Sequence, residues 1–156
     1  MGHRQHQIPS LCKAARCMQS YMKHFMLDKT KSIEQLENDI WSDSNFPTTL
    51  VEKCYHFRKL AIKDLSVEQF RLLIGQNIGL TFLIPSAVEI LRENILSAGN
   101  FYEGDLLSAV LSSENSYWLA NPEIRMALTT LLSEKRVEIS KANKKLLQSV
   151  DDFMLS

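Results

Sequence analysis

The strongest structural signal in this sequence is a succession of helix-start signals. Ser32 and Ser66 are each followed three residues later by glutamine, which is the spacing of a capping box. Asn121-Pro122-Glu123 is a third start signal, with a cap, a proline at the first helical position and an acid that the helix dipole favours. Apolar residues recur at helical spacing between these signals, and no segment shows sustained alternation of apolar and polar residues. The sequence therefore predicts an all-α fold.

The length of 156 residues suits one compact domain, for which we predict about seven helices. The last and longest helix is predicted to run from Asn121 to about Phe153, and its polar second half is expected to protrude or fray. Hydrophobic residues make up 45% of the chain and charged residues 23%, which is the composition of a soluble globular domain with a buried core. No apolar run approaches the roughly 18 residues of a membrane-spanning helix, so no membrane partner is expected.

Shorter elements are predicted from local signals. The first helix should run from Ile33 to about Ile40, with Trp41 packed behind it, and Pro47 should open the second. Gly79 is expected to have a left-handed backbone conformation, because one apolar stripe stops before it and another begins after it. Pro85 must lie in the first turn of the helix that follows, or kink it.

The first 25 residues are predicted to be an appended or poorly ordered segment, and residues 26–156 to be the domain. Residues 1–25 carry four bases, no acid and no core pattern, and they lack the apolar stretch of a secretory signal. Their histidines and cysteines match no closed zinc spacing, so no metal site is expected. The chain has three cysteines, and this odd number favours a reducing, cytoplasmic location without disulfides.

Charge is distributed unevenly along the chain. Eighteen basic residues balance 18 acidic residues, so net charge does not indicate a nucleic-acid binder. Between Leu65 and Asn121, however, six acids face only two bases, Arg71 and Arg92. Such a stretch repels phosphate and attracts cationic surfaces, although ordinary solvated helix faces would give the same pattern.

The sequence gives no sign of catalysis or of a bound cofactor. His56 is the only histidine after residue 25, and it stands between two aromatic residues rather than near a nucleophile pattern. The segment from Gly75 to Gly79 lacks the lysine and the preceding strand of a phosphate loop. We therefore predict that the chain is not an enzyme.

Residues 64–111 contain a run of motifs that resembles the helical immunity proteins of bacterial contact-dependent growth inhibition (CDI) systems. The first motif, from Phe70 to Leu91, has the form LRxxIGQxxGLxxLxPxAxExL, with Phe70 in place of leucine. The second motif has the form GxFYxGDLLxAxL, and the opening helix from Ile33 to Trp41 is also similar to the family. The resemblance covers about residues 33–118. The motif positions interpreted as structural are Gly75, Gln76, Gly79, Pro85, Gly99, Gly104, Leu106 and Leu107.

The resemblance implies a protein that binds and neutralises the C-terminal toxin domain of a CDI exoprotein in the cytosol of the producing cell. Such toxins are commonly nucleases. The implied partner is the toxin protein, held in a 1:1 complex by a monomer, with no direct contact to nucleic acid. The alternative is a non-enzymatic helical adaptor or regulatory protein that acts as a homodimer.

An inhibitor of a nuclease benefits from acidic and aromatic side chains that occupy a cationic groove. Four of the candidate residues have alternative roles. Asp105 could instead cap a helix, Glu89 could form an internal hydrogen-bond anchor, and Tyr117 and Trp118 could pack in the core. The candidate toxin-binding residues are Glu89, Glu93, Tyr102, Glu103, Asp105, Glu114, Tyr117 and Trp118.

Overall fold

A computed structural model describes residues 26–42 and 45–156, and the predicted segment 1–25 lies outside them. The described residues form eight α-helices, one short 3-10 turn at Ile62–Asp64 and no strand, which confirms the all-α prediction. The helices are α1 Ile33–Glu37, α2 Thr49–Phe57, α3 Val67–Gly75, α4 Leu80–Glu93, α5 Asp105–Leu111, α6 Asn115–Ala120, α7 Pro122–Ala142 and α8 Lys144–Leu155.

Both predicted capping boxes are present. The Ser32 hydroxyl accepts from the Gln35 N–H at 3.2 Å, and the Gln35 side chain accepts from the Ser32 N–H at 2.9 Å. Ser66 opens α3 in the same way, with distances of 3.3 and 2.8 Å. Each box satisfies two backbone donors that the first turn of a helix leaves free.

Two predicted helix boundaries near α1 and α2 are wrong. α1 ends at Glu37 because Asn38 adopts a left-handed conformation (φ 51°), so Ile40 lies beyond the helix and is exposed. α2 begins at Thr49 rather than Pro47, because the Thr48 side chain accepts the Val51 N–H and caps the helix. The backbone conformation of Asn38 sets the first boundary and the side chain of Thr48 the second, and residues of both types are common at helix ends.

The core lies where α3, α4 and α5 pack together. Six apolar residues of α4 form the predicted buried stripe, and Leu106 and Leu107 of α5 are fully buried as expected. Fully burying one such side chain stabilises the fold by about 1.5–3 kcal/mol. Pro85 is buried inside α4, beyond its first turn, and α4 continues past it to Glu93. The stripe consists of Leu80, Leu83, Ile84, Ala87, Val88 and Leu91.

Gly79 has the positive φ that the sequence predicts. Its φ of 62° lies in the left-handed region at the turn between α3 and α4. A Cβ atom here would lie 2.9 Å from the Ile33 Cδ1 atom, so the absence of a side chain also lets α1 pack against this turn.

The C-terminal region departs from its prediction. A long helix is present as α7, but it ends at Ala142, and Asn143 has an extended backbone. The Asn143 side chain accepts the N–H groups of Lys145 and Leu146 and so starts a second helix, α8. The expected protruding second half is therefore wrong, because α8 turns back and packs against α5 and α7.

The sequence contains the reason for this return. Leu146, Val150 and Phe153 stand four and three residues apart, which places them on one face of α8, and all three are buried. The Arg136 guanidinium pairs with Asp151 across the two helices. No helix in the part of the chain that the structure describes is long and apolar enough to cross a membrane.

Candidate functional site

The loop that joins α4 to α5 presents aromatic and acidic side chains to solvent. Phe101 is 70% exposed and Tyr102 48% exposed, and Glu103 beside them is also exposed. Loops over a rigid scaffold often carry function, and two adjacent exposed aromatic side chains are typical anchors of protein interfaces. We call residues 99–104 the presenting loop.

The buried carboxylate of Asp105 binds the backbone of the presenting loop. Its side chain is 3% exposed, its Oδ1 atom accepts the Gly99 N–H at 2.6 Å, and its Oδ2 atom accepts the Phe101 N–H at 3.1 Å. Asp105 is the first residue of α5, and no side chain caps that helix. The alternative of a helix cap is therefore wrong, and the buried carboxylate fixes the loop instead of facing a partner.

A second brace comes from α3. Glu68 accepts two hydrogen bonds from the Arg71 guanidinium, at 2.7 and 2.5 Å, and a third from the Asn100 N–H at 2.9 Å. Hydrogen bonding to Arg71 holds the pKa of Glu68 below its ordinary value and raises the pKa of Arg71 in turn. The same guanidinium lies 4.4 Å from the centre of the Phe101 ring and 3.8 Å from the Asp105 carboxylate. Arg71 thus connects the carboxylate of Glu68 to the exposed ring of Phe101.

The close approach of these parts explains the glycine at position 99. A Cβ atom on Gly99 would lie 2.3 Å from the Glu68 Oε2 atom and 3.2 Å from the Asp105 Oδ2 atom. Any side chain would therefore push the loop away from the carboxylates that hold it.

Two cavities continue from the presenting loop along α8. The smaller has a volume of about 230 Å³ and is lined by Tyr102, Ser108, Leu146 and Ser149, among others. The larger has a volume of about 380 Å³, and its lining includes Trp118, Ser149, Asp152 and Phe153. Ser149 lines both, so the loop and the two cavities form one continuous surface, which we call the α8 face. The sequence does not indicate this face, because its thinly apolar C-terminal pattern predicts an end of the chain that protrudes.

The predicted acidic contacts are dispersed over several elements. Glu103 lies on the presenting loop, and Glu114 is exposed just before α6, beside a residue that lines the larger cavity. Glu93 is exposed in the last turn of α4. Glu89 is half-exposed and forms an ion pair with Lys29. The pair lies at the surface rather than inside the protein, and a role of Glu89 in toxin binding stays a prediction.

The two aromatic candidate residues, Tyr117 and Trp118, lie in the middle of α6 and are buried. Tyr117 and Trp118 are 7% and 2% exposed, and their rings meet edge to face at 5.1 Å. Trp118 meets Phe153 of α8 in the same manner at 5.0 Å. Burial raises the pKa of Tyr117, and Glu123 raises it further. Both residues therefore pack in the core, and Trp118 also lines the larger cavity.

Sequence reasoning missed Glu68, Arg71 and Phe101. The spacing of Glu68 and Arg71, three residues apart on a helix, was a signal for an ion pair. Nothing in the sequence indicated that this pair would lie under the presenting loop, 30 residues further along.

The free thiol of Cys54 is buried, and burial raises its pKa, which disfavours the reactive thiolate. Within residues 26–42 and 45–156, no three histidine, cysteine or carboxylate side chains cluster as a metal site would require. What these residues do present is a braced loop with exposed aromatic and acidic groups.

A family model described as "CDI immunity proteins" matches residues 35–128, in agreement with the motif resemblance. The matched range includes α2 to α6 and the presenting loop. Comparison of the chain with curated proteins and with solved structures finds no match.

Proposed function

The chain belongs to the family of CDI immunity proteins, and from this we propose that it binds and neutralises the cognate C-terminal toxin domain of a CDI exoprotein. It acts in the cytosol of the producing cell as a non-enzymatic inhibitor, in a 1:1 complex. The toxin we propose is a nuclease, and the presenting loop is the part of the immunity protein that first contacts it.

The braced geometry of the presenting loop is the observation that carries this proposal. Asp105 and the Glu68–Arg71 pair fix its backbone, so little conformational entropy remains to be lost when a partner binds. Tyr102 supplies an exposed amphipathic ring of the kind that dominates binding energies at interfaces. The loop is therefore suited to insert into a preformed groove.

The charge of the loop and its neighbours supports a nuclease as the target. A nuclease presents a cationic groove to the phosphates of its substrate, and Glu103 and Glu114 offer carboxylates of opposite charge. The same carboxylates repel phosphate, which agrees with an immunity protein that contacts the toxin and not the nucleic acid.

Charge reversal on the presenting loop tests the proposed contact. The probe is the C-terminal toxin domain encoded by the reading frame directly upstream. Glu103→Lys should slow its stopped-flow association rate and make that rate less dependent on salt, with the melting temperature unchanged. Glu134→Lys is the matched control, because Glu134 is also exposed but lies on α7, outside the acidic stretch.

The possible outcomes distinguish an error about the contact surface from an error about the proposed function. Equal association rates for the two variants would reject the presenting loop as the contact while leaving immunity in place. A wild-type protein that does not bind this toxin domain and does not protect cells expressing it would reject the pairing itself.

The nuclease assignment and the stoichiometry have their own tests. The isolated toxin domain should degrade RNA or DNA, and one equivalent of the immunity protein should stop the degradation. Sedimentation should show a monomer alone and a 1:1 complex with the toxin. A stable homodimer that ignores the toxin would favour the adaptor alternative.

A further inference from the structure

We propose that the larger cavity of the α8 face is a receptor for one basic side chain, arginine or lysine, of the toxin domain. The inference rests on the proposed function and adds a second contact beyond the presenting loop. The cavity has a volume of about 380 Å³ and is lined by polar side chains around two aromatic rings.

The electrostatics of the cavity favour a cation. α5 ends at Leu111 and α8 at Leu155, so two negative helix ends lie at the cavity wall, against one positive end, that of α6, whose first residue Asn115 also lines the cavity. Asp152 adds an exposed carboxylate whose Oδ1 atom accepts from the Gln148 amide at 3.0 Å. These groups attract a cation and repel a phosphate or a carboxylate.

The guanidinium of Arg125 already binds the C-terminal end of α8. Arg125 donates to the Phe153 carbonyl and to the Ser156 hydroxyl, each at 3.0 Å, and its guanidinium lies 4.9 Å from the centre of the Phe153 ring. Arg125 is not among the residues that line the cavity. Arg125 therefore occupies the C-terminal end of α8, and what the cavity offers a second guanidinium or ammonium is the C-terminal end of α5 and the carboxylate of Asp152.

The hydroxyl groups in the wall are directed to accept. Ser112 donates to the Ser108 carbonyl at 2.8 Å, and Ser113 donates to the Val110 carbonyl at 2.6 Å. Ser149 donates to the Lys145 carbonyl at 3.3 Å. Because each hydroxyl hydrogen is used within its own helix or turn, the oxygen lone pairs remain for a ligand. Arginine and lysine side chains only donate hydrogen bonds, so they complement such a wall.

The wall of the cavity also contains the aromatic rings of Trp118 and Phe153. Trp118 and Phe153 meet edge to face, and aromatic faces attract cations. Trp118 is 2% exposed, and its Nε1–H has no hydrogen-bond partner among the described residues. This nitrogen is buried, so the indole serves as a reporter for the cavity rather than as a donor to a ligand. Ser149 connects the cavity to the presenting loop, so one toxin domain can engage both.

Titration with a capped amino acid tests the chemistry of the cavity without the toxin. The probe is N-acetyl-arginine N-methylamide, and uncharged N-acetyl-citrulline N-methylamide is its matched control. The protein gives two indole N–H signals in a ¹H–¹⁵N spectrum. Trp41 serves as the internal reference, because its Nε1–H donates to the Asp39 carboxylate at 3.1 Å, and Trp41→Phe assigns its signal.

The Trp118 signal should shift and saturate with the arginine probe, while the Trp41 signal and the citrulline titration should show no such change. Asp152→Asn should weaken binding of the probe by roughly two- to fivefold, the range measured for partly exposed charge pairs. Equal shifts of both indoles, equal shifts with citrulline, or no shift up to the solubility limit of the probe would overturn the proposal.

Dissociation of the toxin complex links the cavity to function. Asp152→Asn should raise the dissociation rate of the toxin domain, whereas Asp151→Asn, with the same charge change, should not, because Arg136 already holds Asp151. Equal dissociation rates would overturn the cavity as a toxin contact and leave the immunity function intact. Failure of the wild-type chain to bind any toxin would instead overturn the proposed function, with the probe titration still deciding the chemistry of the cavity.

Discussion

The carboxylate of Asp105 accepts hydrogen bonds from backbone N–H groups of the presenting loop. It takes the place of the backbone carbonyl groups that accept such bonds in helices and strands. Asp105→Ala would leave the Gly99 and Phe101 N–H groups without their acceptor in a partly buried setting. Each unpaired group is expected to lower the free energy of unfolding by about 1–3 kcal/mol. Urea denaturation of the variant and the wild type measures this difference.

The adjacent exposed carboxylate is the matched control. Glu103→Ala should change the free energy of unfolding by no more than about 0.5 kcal/mol, since surface substitutions away from special features have small effects. If Asp105→Ala were as stable as Glu103→Ala, the loop would be held by other contacts.

The Glu68 carboxylate should make stability depend on pH in a defined direction. Its pKa in the folded protein is lowered, chiefly by hydrogen bonds from Arg71, so the folded state favours its ionised form. The stabilisation is fully present above the unfolded glutamate pKa, about 4.3, and is lost as pH falls through the lower pKa of the folded state. The melting temperature of the wild type should therefore exceed that of Glu68→Gln at neutral pH, and the gap should narrow below about pH 4. A gap that stays constant with pH would mean that Glu68 acts through packing alone.

At the scale of elements, α8 packs on the core through the apolar stripe of Leu146, Val150 and Phe153. Leu146 is 3% exposed within this stripe, and Leu146→Ala should lower the free energy of unfolding by about 2–5 kcal/mol. Leu155→Ala on the same helix should change it by no more than about 0.5 kcal/mol, because Leu155 is 87% exposed. Similar unfolding curves for the two variants would show that α8 does not pack on the core in solution.

Local signals predicted most of the helices, and tertiary contacts decided the rest. The Ser32 and Ser66 capping boxes and the stripe of α4 are properties of short segments, so the sequence was sufficient for them. Asn38 and Asn143 end or divide helices through backbone conformations that an asparagine can adopt but need not adopt. The break at Asn143 is compensated by burial of Leu146 and its neighbours, which lie on a separate element.

The candidate site was predictable in its residue types but not in their exposure. Tyr102 and Tyr117 are the same type of residue, yet the side chain of Tyr102 is 48% exposed and that of Tyr117 is 7% exposed. Their difference depends on α8, which covers α6 through the contact of Phe153 with Trp118 but only borders Tyr102 at the smaller cavity. A sequence pattern that placed α8 in solvent could not separate the two.

At the scale of the whole molecule, zero net charge conceals an acidic domain attached to a basic segment. Residues 1–25 carry four bases and no acid, so their removal takes the formal net charge from 0 to −4. The buried hydrophobic core of the described residues extends from Ile33 to Phe153. We therefore predict that deletion of residues 1–25 leaves the melting temperature and protection unchanged. We also predict that it speeds association with a basic toxin domain at low salt, because long-range attraction increases.

A full-length variant with the four basic side chains replaced by glutamine separates charge from chain length in this experiment. If the effect is electrostatic, this variant and the deletion should associate equally fast at low salt. Both should converge on the wild-type rate near 1 M salt, where the Debye length falls to about 3 Å. The four positions are Arg4, Lys13, Arg16 and Lys23. A deletion that lowers the melting temperature or abolishes protection, while the glutamine variant behaves like the wild type, would show that residues 1–25 belong to the domain itself.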